Sequence, residues 1–444
     1  MSQYLLMTKV TLIGAGSAVF TRQLIADLLS FTELADIEIS LHDVDEERLA
    51  VAEATARQIN ERFGTRATIT AGFDRKAALA GSDFVINMIQ VGGIEGTRKD
   101  LLIPATYGLH QVIGDTTGVG GVFRALRTFP VLTGILADMR DVCPDAYFLN
   151  YTNPMAMNVL WAATVAPDIK TVGLCHSISK TVQDLCTLVG VPFEQTHYRA
   201  AGVNHQAWVL EWSRNGEDLY PLLRDRISAD PDLARRVRVE IFRRIGFYPT
   251  ESSEHSAEYL SWFLRSPEQI ERYRLEPLAY LGISEANVDQ FTSARRALAT
   301  GAPLDLERGA LEYAPQIIHS IVTGESRVIH ANVVNSGLID NLPSGAVVEV
   351  PCTVDGAGVT PHPVGSLPAQ CAALNRPYLS VAELTVEAAR TGNPRMVRQA
   401  VLMDPNASST LRPEQIWDMC NDLVRAHGDL LPEALRVDVA TDAL

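Results

Sequence analysis

The six cysteines of this 444-residue chain include no CxxC pair, and the N-terminus lacks the charged start and apolar core of a cleavable signal. A disulfide-stapled secreted fold is thereby disfavoured, and a reducing, cytoplasmic setting is expected. No apolar run approaches the roughly 18 residues needed to cross a bilayer, so a soluble chain with no membrane partner is expected. Positive charge is scarce: 38 Lys and Arg stand against 53 Asp and Glu, a formal net charge of -15. That balance gives no electrostatic footprint for nucleic acid and suits an enzyme of small molecules better. Low-complexity tracts and internal repeats are also absent. What remains is an ordinary globular chain, long enough to build its core without metal or disulfide staples.

The first half alternates strand and helix patterns. "KVTLI" is an apolar run of strand length that breaks at Gly14 and Gly16 and passes into "TRQLIADLLSF", whose apolar residues recur at helical spacing. "DIEISLHDVD" reads as a second strand, followed by a helix from about Glu46 to Phe63 and a third strand in "ATITAGFD". The alternation continues through "SDFVINMIQVGG", a helix around "GVFRALRTFPVLTGILADMRDVC", and strands in "AYFLNYTNP" and "TVGLCHS". The expected fold is α/β: a Rossmann-like, doubly wound parallel sheet over residues 1–195. Residues 196–444 would form a mixed α/β domain for substrate, metal and oligomerisation, an architecture resembling lactate and malate dehydrogenases. Its pattern holds basic helical segments near Leu233 to Arg244, an extended stretch around "LPSGAVVEVPCTVDGAGVTP", and helices after Val381.

The strand, glycine turn and helix at the N-terminus point to a dinucleotide. Gly14 permits the tight turn, and Gly16 removes a side chain where a helix N-terminus would meet a pyrophosphate. Gly14, Gly16 and Ser17 are therefore the expected contacts. The third glycine of the fingerprint is replaced by Val19, so helix and strand are expected to pack differently there. Asp43 ends the second strand, where a carboxylate accepts ribose hydroxyls and repels a 2'-phosphate, favouring NAD.

"VGLCHSISK" ends a strand with Cys175 and His176 on the rim where doubly wound sheets bind ligands. "AAGVNHQAW" adds His205, and a thiolate with an imidazole suits a borderline ion such as Mn, Fe, Co, Ni or Zn. From these residues alone, a buried cysteine and a satisfied core histidine are the competing reading. Arg124 and Arg127 of "GVFRALRT" read as solvated charges along their helix.

Together "IGAGS", "GDTTGVGGVFRALRT", "LNYTNPMAMN", "VGLCHSI", "AAGVNHQAW" and "TESSEHSAEYLSWF" resemble the NAD- and manganese-dependent glycosidases of glycoside hydrolase family 4, especially its melibiase-type α-galactosidases. The resemblance implies that Cys175 and His205 ligate the metal and that Asn153 orients the sugar's 2- and 3-hydroxyls. It also implies a chemistry unlike that of paired-carboxylate glycosidases. The sugar is oxidised at C3 by NAD, the metal-polarised ketone lets a base remove the C2 proton, and the aglycone is eliminated. Water then adds at C1 and C3 is reduced again, so the net reaction is hydrolysis.

In the same resemblance Tyr259 best matches the tyrosine base, with Glu254 and His255 as alternative bases or sugar ligands. His176 stands where the phospho-α-glucosidase branch has an aspartate, and is read as acid or sugar contact. Asp115 would orient His176 or bind sugar. The phosphosugar branches resemble "CDMP", or "CN" followed by a residue and proline, which this chain lacks, so a non-phosphorylated α-glycoside is the expected substrate, an α-galactoside first. α-Glucosides, α-glucuronides and α-galacturonides are the alternatives within the family. A lactate- or malate-type NAD dehydrogenase and a non-catalytic NAD sensor are those outside it. A homodimer or homotetramer is implied by the resemblance.

Overall fold

The computed structural model describes residues 7–302, 309 and 312–441. Its strands in chain order are β1 (Lys9–Ile13), β2 (Glu38–His42), β3 (Thr68–Gly72), β4 (Phe84–Asn87), β5 (Tyr147–Asn150), β6 (Lys170–Gly173), β7 (Thr196–Val203), β8 (Gln206–Arg214), β9 (Glu217–Asp218), β10 (Tyr248–Pro249), β11 (Arg327–Val334), β12 (Val347–Asp355) and β13 (Gly358–Pro361). The first six pair in parallel in the order β3-β2-β1-β4-β5-β6, the order of a dinucleotide-binding sheet. β1 and β4 are almost wholly buried because helices cover both faces of the sheet, which is why they read as continuous apolar runs rather than alternating ones.

The sheet does not stop at β6. β11 joins it antiparallel at Asn332 and Gly173, and β12, β7, β8 and β10 continue the same sheet. One hydrogen-bonded surface thus carries the carboxyl end of β6, with Cys175 just beyond it, to the β7–β8 hairpin, whose turn holds His205.

The helix Glu46–Phe63 forms as its pattern predicts, with Asp45 capping the N-terminus through Arg48 N–H and Gly64 closing the end at φ 67. The helix Gly118–Val142 has the length and apolarity to cross a bilayer, yet 78% of that stretch is buried inside the fold. Its hydrophobicity is used by packing against neighbours such as Trp161, which stacks on Phe129 at 4.6 Å. The basic segment becomes the helix Val237–Ile245, and the C-terminal helices begin earlier than Val381, at Ala369, with Pro377 inside Ala369–Thr391.

Val19 does not occupy the seam between helix and strand. It is 39% exposed in the first turn of Ala18–Leu28, so a valine there needs no altered packing. Arg124 and Arg127 depart from their solvated reading: both are buried, at 7% and 1% exposure. Arg127 makes a two-pronged ion pair with Asp100 at 2.9 and 2.6 Å, and the same carboxylate takes His427 Nε2 at 2.9 Å. A buried guanidinium is tolerable because its charge and its donors are matched.

Candidate active site

The glycine turn and the β6 rim open onto one cavity of about 360 Å³. Its lining includes Ser17, Phe20, Met88, Ile89 and Gln90 together with Cys175, His176, His205, Glu251 and His255, and with Asp115, Arg124, Asn153 and Tyr280.

At the turn, Gly14 sits at φ 81, and a Cβ there would lie 2.9 Å from the backbone nitrogen of Ile89. A side chain on Gly16 would meet Asp43 at 2.7 Å. The Gly16 N–H donates to Asp43 Oδ2 at 2.7 Å and the Asp45 N–H to Oδ1 at 3.0 Å. Asp43 therefore fixes the turn with the carboxylate expected to face a ribose. Ser17 is the N-cap of Ala18–Leu28 but makes no capping bond with its hydroxyl, and it lines the cavity at a helix N-terminus, the place an anion favours. Protein packing alone accounts for the two glycines; the uncommitted Ser17 on the cavity wall is what fits a dinucleotide.

Ligand atoms of Cys175, His205 and Glu251 all lie within 4.8 Å of one another. An ion about 2.2 Å from each donor would span up to about 4.4 Å between ligands, so these side chains are close to the spacing one ion needs. A thiolate, an imidazole and a carboxylate also form a donor set of borderline character. The ring of His205 is oriented by a relay. Thr116 Oγ1 donates to Asp115 Oδ1 at 2.6 Å, which leaves its lone pairs for His205 Nδ1 at 3.2 Å. Nδ1 therefore carries the proton, and Nε2, 3.9 Å from Glu251 Oε2, presents a lone pair. Burial, aided by the neighbouring His255, pushes the His205 pKa down to about 4, so the ring is neutral near pH 7, as a ligand must be.

Asp115, on the cavity lining, gathers several polar contacts. Asn153 Nδ2 donates to its Oδ2 at 3.0 Å, and His255 Nε2 lies 3.6 Å from its Oδ1. Burial favours its protonated form, but His255 and Arg124 hold it well below the usual carboxylate range. For His255, burial opposes the charge, yet Asp115 and Glu251 outweigh it and raise the pKa to about 9. The loop bearing Asp115 is itself held from below. Glu258 Oε1 accepts the N–H groups of Val112, Ile113 and Gly114 at 2.7, 2.9 and 3.0 Å.

His176 stands at the mouth with 53% of its side chain exposed, its Nδ1 3.4 Å from Glu312 Oε1. That partner, against the effect of partial burial, raises its pKa. Asp115 thus lies beside His255 and reaches His205 through Thr116, while Glu312 is the carboxylate beside His176.

Two expected residues are not brought into the cavity. Tyr259 is 2% exposed and its hydroxyl donates to the Asn204 carbonyl at 2.7 Å. Its ring packs against Tyr378 at 5.0 Å in the core. The helix Ser253–Glu258 turns its residues successively, so His255 lines the cavity while Glu254 does not. Tyr280, at the start of Ala279–Ala299, lines the cavity instead, with Arg124 5.9 Å from its ring. Burial raises its pKa and Arg124 opposes that rise. Tyr280, Glu251 and Glu312 were missed because "LAYLG", "PTESS" and "ALEYA" carry no spacing that marks them. A further missed carboxyl, Glu349 on β12, is fully buried and pushed up to about 8 by burial and by Glu251.

The family described as "Family 4 glycosyl hydrolase" matches residues 9–191, and "Family 4 glycosyl hydrolase C-terminal domain" matches residues 200–407. The chain is 41% identical over 432 residues to an alpha-galactosidase of Bacillus subtilis (strain 168), covering 96% of this chain and 100% of that protein. It is 36% identical over 450 residues to an alpha-galactosidase of Rhizobium meliloti (strain 1021), covering 98% and 92%. Its backbone superposes with a TM-score of 0.83, at 20% sequence identity, on a 6-phospho-alpha-glucosidase from gut microorganisms solved in complex with NAD and Mn2+; 96% of this chain and 99% of that one are covered.

Proposed function

Because the chain belongs to the family 4 glycosyl hydrolases, we propose that it hydrolyses non-phosphorylated α-glycosides, α-galactosides first, with NAD and a divalent transition ion such as Mn2+. The observation that carries this reading is the single cavity joining the glycine turn to the Cys175 and His205 pair. A hydrolase working by direct displacement has no use for that junction. When bound, NAD would supply a reversible hydride acceptor for C3 of the sugar, and the cation would polarise the oxygens at C2 and C3.

The chain's own residues then divide the remaining work. Cys175 and His205 would hold the ion, with Thr116 and Asp115 setting the tautomer of His205. Asn153, tied to Asp115, orients sugar hydroxyls. Tyr280 takes the C2 proton; burial raises its pKa, and Arg124 beside it opposes that rise. His176, its charged form supported by Glu312, gives a proton to the departing glycosidic oxygen from the cavity mouth. Aglycones of different size can be accommodated on that open side.

Two observations support a neutral sugar. Among the described residues the lining holds one arginine and no lysine, and Arg124 is already engaged with Tyr280 and Asp115, whereas a sugar phosphate calls for unengaged cationic donors. The relatives at 41% and 36% identity are both alpha-galactosidases.

The test is a panel of nitrophenyl α-galactoside, α-glucoside, α-glucuronide, α-galacturonide and a 6-phosphoglucoside, each with NAD, Mn2+ and thiol. Fastest turnover on the galactoside is expected. Faster turnover on a uronide or phosphosugar would replace the substrate assignment. No turnover on any glycoside, with lactate or malate oxidised instead, would overturn the glycosidase reading for this chain.

A further inference from the structure

Resting on the reading of Cys175 and His205 as a metal-binding pair, we infer that Glu251 is a third protein ligand of the same ion. Its carboxylate is the third corner of the cluster whose donor atoms lie within 4.8 Å of one another. Oε2 faces His205 Nε2 at 3.9 Å, and Oε1 faces His255 Nδ1 at 3.7 Å. Among the described residues no group donates a hydrogen bond to either oxygen. A half-buried carboxylate with no fixed donor on either oxygen keeps its lone pairs available to a cation.

The backbone supports the same assignment. His205 and Glu251 are non-glycine residues in the left-handed region, at φ 60 and φ 68. Each such conformation is unfavourable for a residue with a side chain and persists only where neighbours impose it. Here they do. Ala207, two residues after His205, and Thr250, immediately before Glu251, exchange hydrogen bonds: Thr250 N–H to the Ala207 carbonyl at 2.9 Å and Ala207 N–H to Thr250 Oγ1 at 3.1 Å. The Glu251 N–H is then fixed on Thr181 Oγ1 at 3.0 Å. The two strained residues are thus clamped to one another so that both side chains turn toward Cys175.

Charge completes the argument. Cys175 is half-buried, and its sulfur lies within 4.8 Å of a Glu251 carboxylate oxygen. A thiolate there would repel Glu251; a dication between them turns that repulsion into two attractions and is neutralised by the pair. Binding would release the thiol proton to solvent. With sulfur, nitrogen and oxygen from the protein, the site would select a borderline transition ion over Mg2+ or Ca2+, and would bind it before any sugar arrives.

The experiment is a calorimetric titration of the full chain with MnCl2, without sugar, for wild type, Glu251→Gln, Glu251→Asp and Cys175→Ser, each also titrated with NAD. Loss of a hydrogen-bonded outer partner of a ligand costs about 10–100-fold in affinity, so loss of a ligand should weaken Mn2+ binding by more than about tenfold. Glu251→Gln should show that loss with NAD affinity unchanged, and Glu251→Asp, which keeps the charge, a smaller one. Mn2+ binding as tight as wild type in both Glu251 variants, while Cys175→Ser has lost it, would overturn the ligand role and leave the metal pair standing. NAD binding weakened in parallel with Mn2+ in both Glu251 variants would also overturn it, as general damage to the site. If Cys175→Ser binds Mn2+ like wild type, the metal pair itself fails, and Glu251 with it.

Discussion

Replacing Thr116 by valine removes one hydroxyl and little of its shape. That oxygen accepts from His205 Nδ1 at 3.2 Å and donates to Asp115 Oδ1 at 2.6 Å. Thr116 is fully buried and both partners are about 5% exposed, so water cannot substitute readily, and each orphaned group costs about 1–3 kcal/mol. His205 can relieve its share only by moving the proton from Nδ1 to Nε2, the nitrogen that faces Glu251. That tautomer cannot bind a cation, so the cost reappears as lost metal affinity. Partners of this kind are worth about 10–100-fold in metal binding, or about 1.4–2.8 kcal/mol. The assay is Mn2+ titration of wild type and Thr116→Val at neutral pH, with NAD titration as the control because the glycine turn is untouched. A Thr116→Val protein that binds Mn2+ as tightly as wild type would refute the relay.

The remaining predictions concern the base, the loop and pH. Tyr280→Phe should lower kcat by on the order of 10²–10⁴, whereas Tyr259→Phe, which loses the bond to the Asn204 carbonyl away from the cavity, should cost about 1 kcal/mol of stability; steady-state kinetics and melting curves of both variants decide, and the reverse pattern would return the base to Tyr259. Glu258→Gln can keep the oxygen that takes the N–H groups of Val112, Ile113 and Gly114 but sets an amide where Oε2 accepts from Gly114 at 3.1 Å, so both Tm and apparent sugar affinity should fall, Asp115 being carried by that loop; a Tm drop with KM unchanged would limit Glu258 to stability. His255 has its pKa raised to about 9, so its contribution is fully present below its unfolded value of about 6.5 and is lost as pH rises through 9. His205 is depressed to about 4, so its contribution is present above about 6.5 and is lost as pH falls toward 4. Melting of the metal-free protein should therefore weaken in both directions, and His255→Gln should flatten the alkaline side and, because His255 also helps depress His205 and Asp115, part of the acid side.

The parallel half of the sheet was legible because β1, β2, β4 and β5 are buried strands whose apolar runs alternate with helical patterns. Cys175 and His205 were legible because each sits in a short block with its own motif. The rest depends on pairings that periodicity does not encode. Asn332 on β11 meets Gly173 across a large sequence separation, and that contact joins the two halves of the sheet. Glu251 lies in an acidic, serine-rich stretch where its left-handed backbone is invisible to composition. Tyr259 carried the motif, but helix geometry sends its ring into the core, while Tyr280 reaches the cavity from an inconspicuous apolar segment. Arg124 and Arg127 read as surface charge because nothing nearby in sequence shows Tyr280 or Asp100 as their partners.

The central claim is that the glycosidic bond is broken after a proton has left C2, while C3 passes its hydride to the cofactor and takes it back. Hydrolysis of an α-galactoside in D2O with NAD and Mn2+, with the released galactose read by NMR, tests it directly. The account predicts deuterium at C2, delivered from solvent, and protium at C3. Galactose released without deuterium at C2 would contradict it.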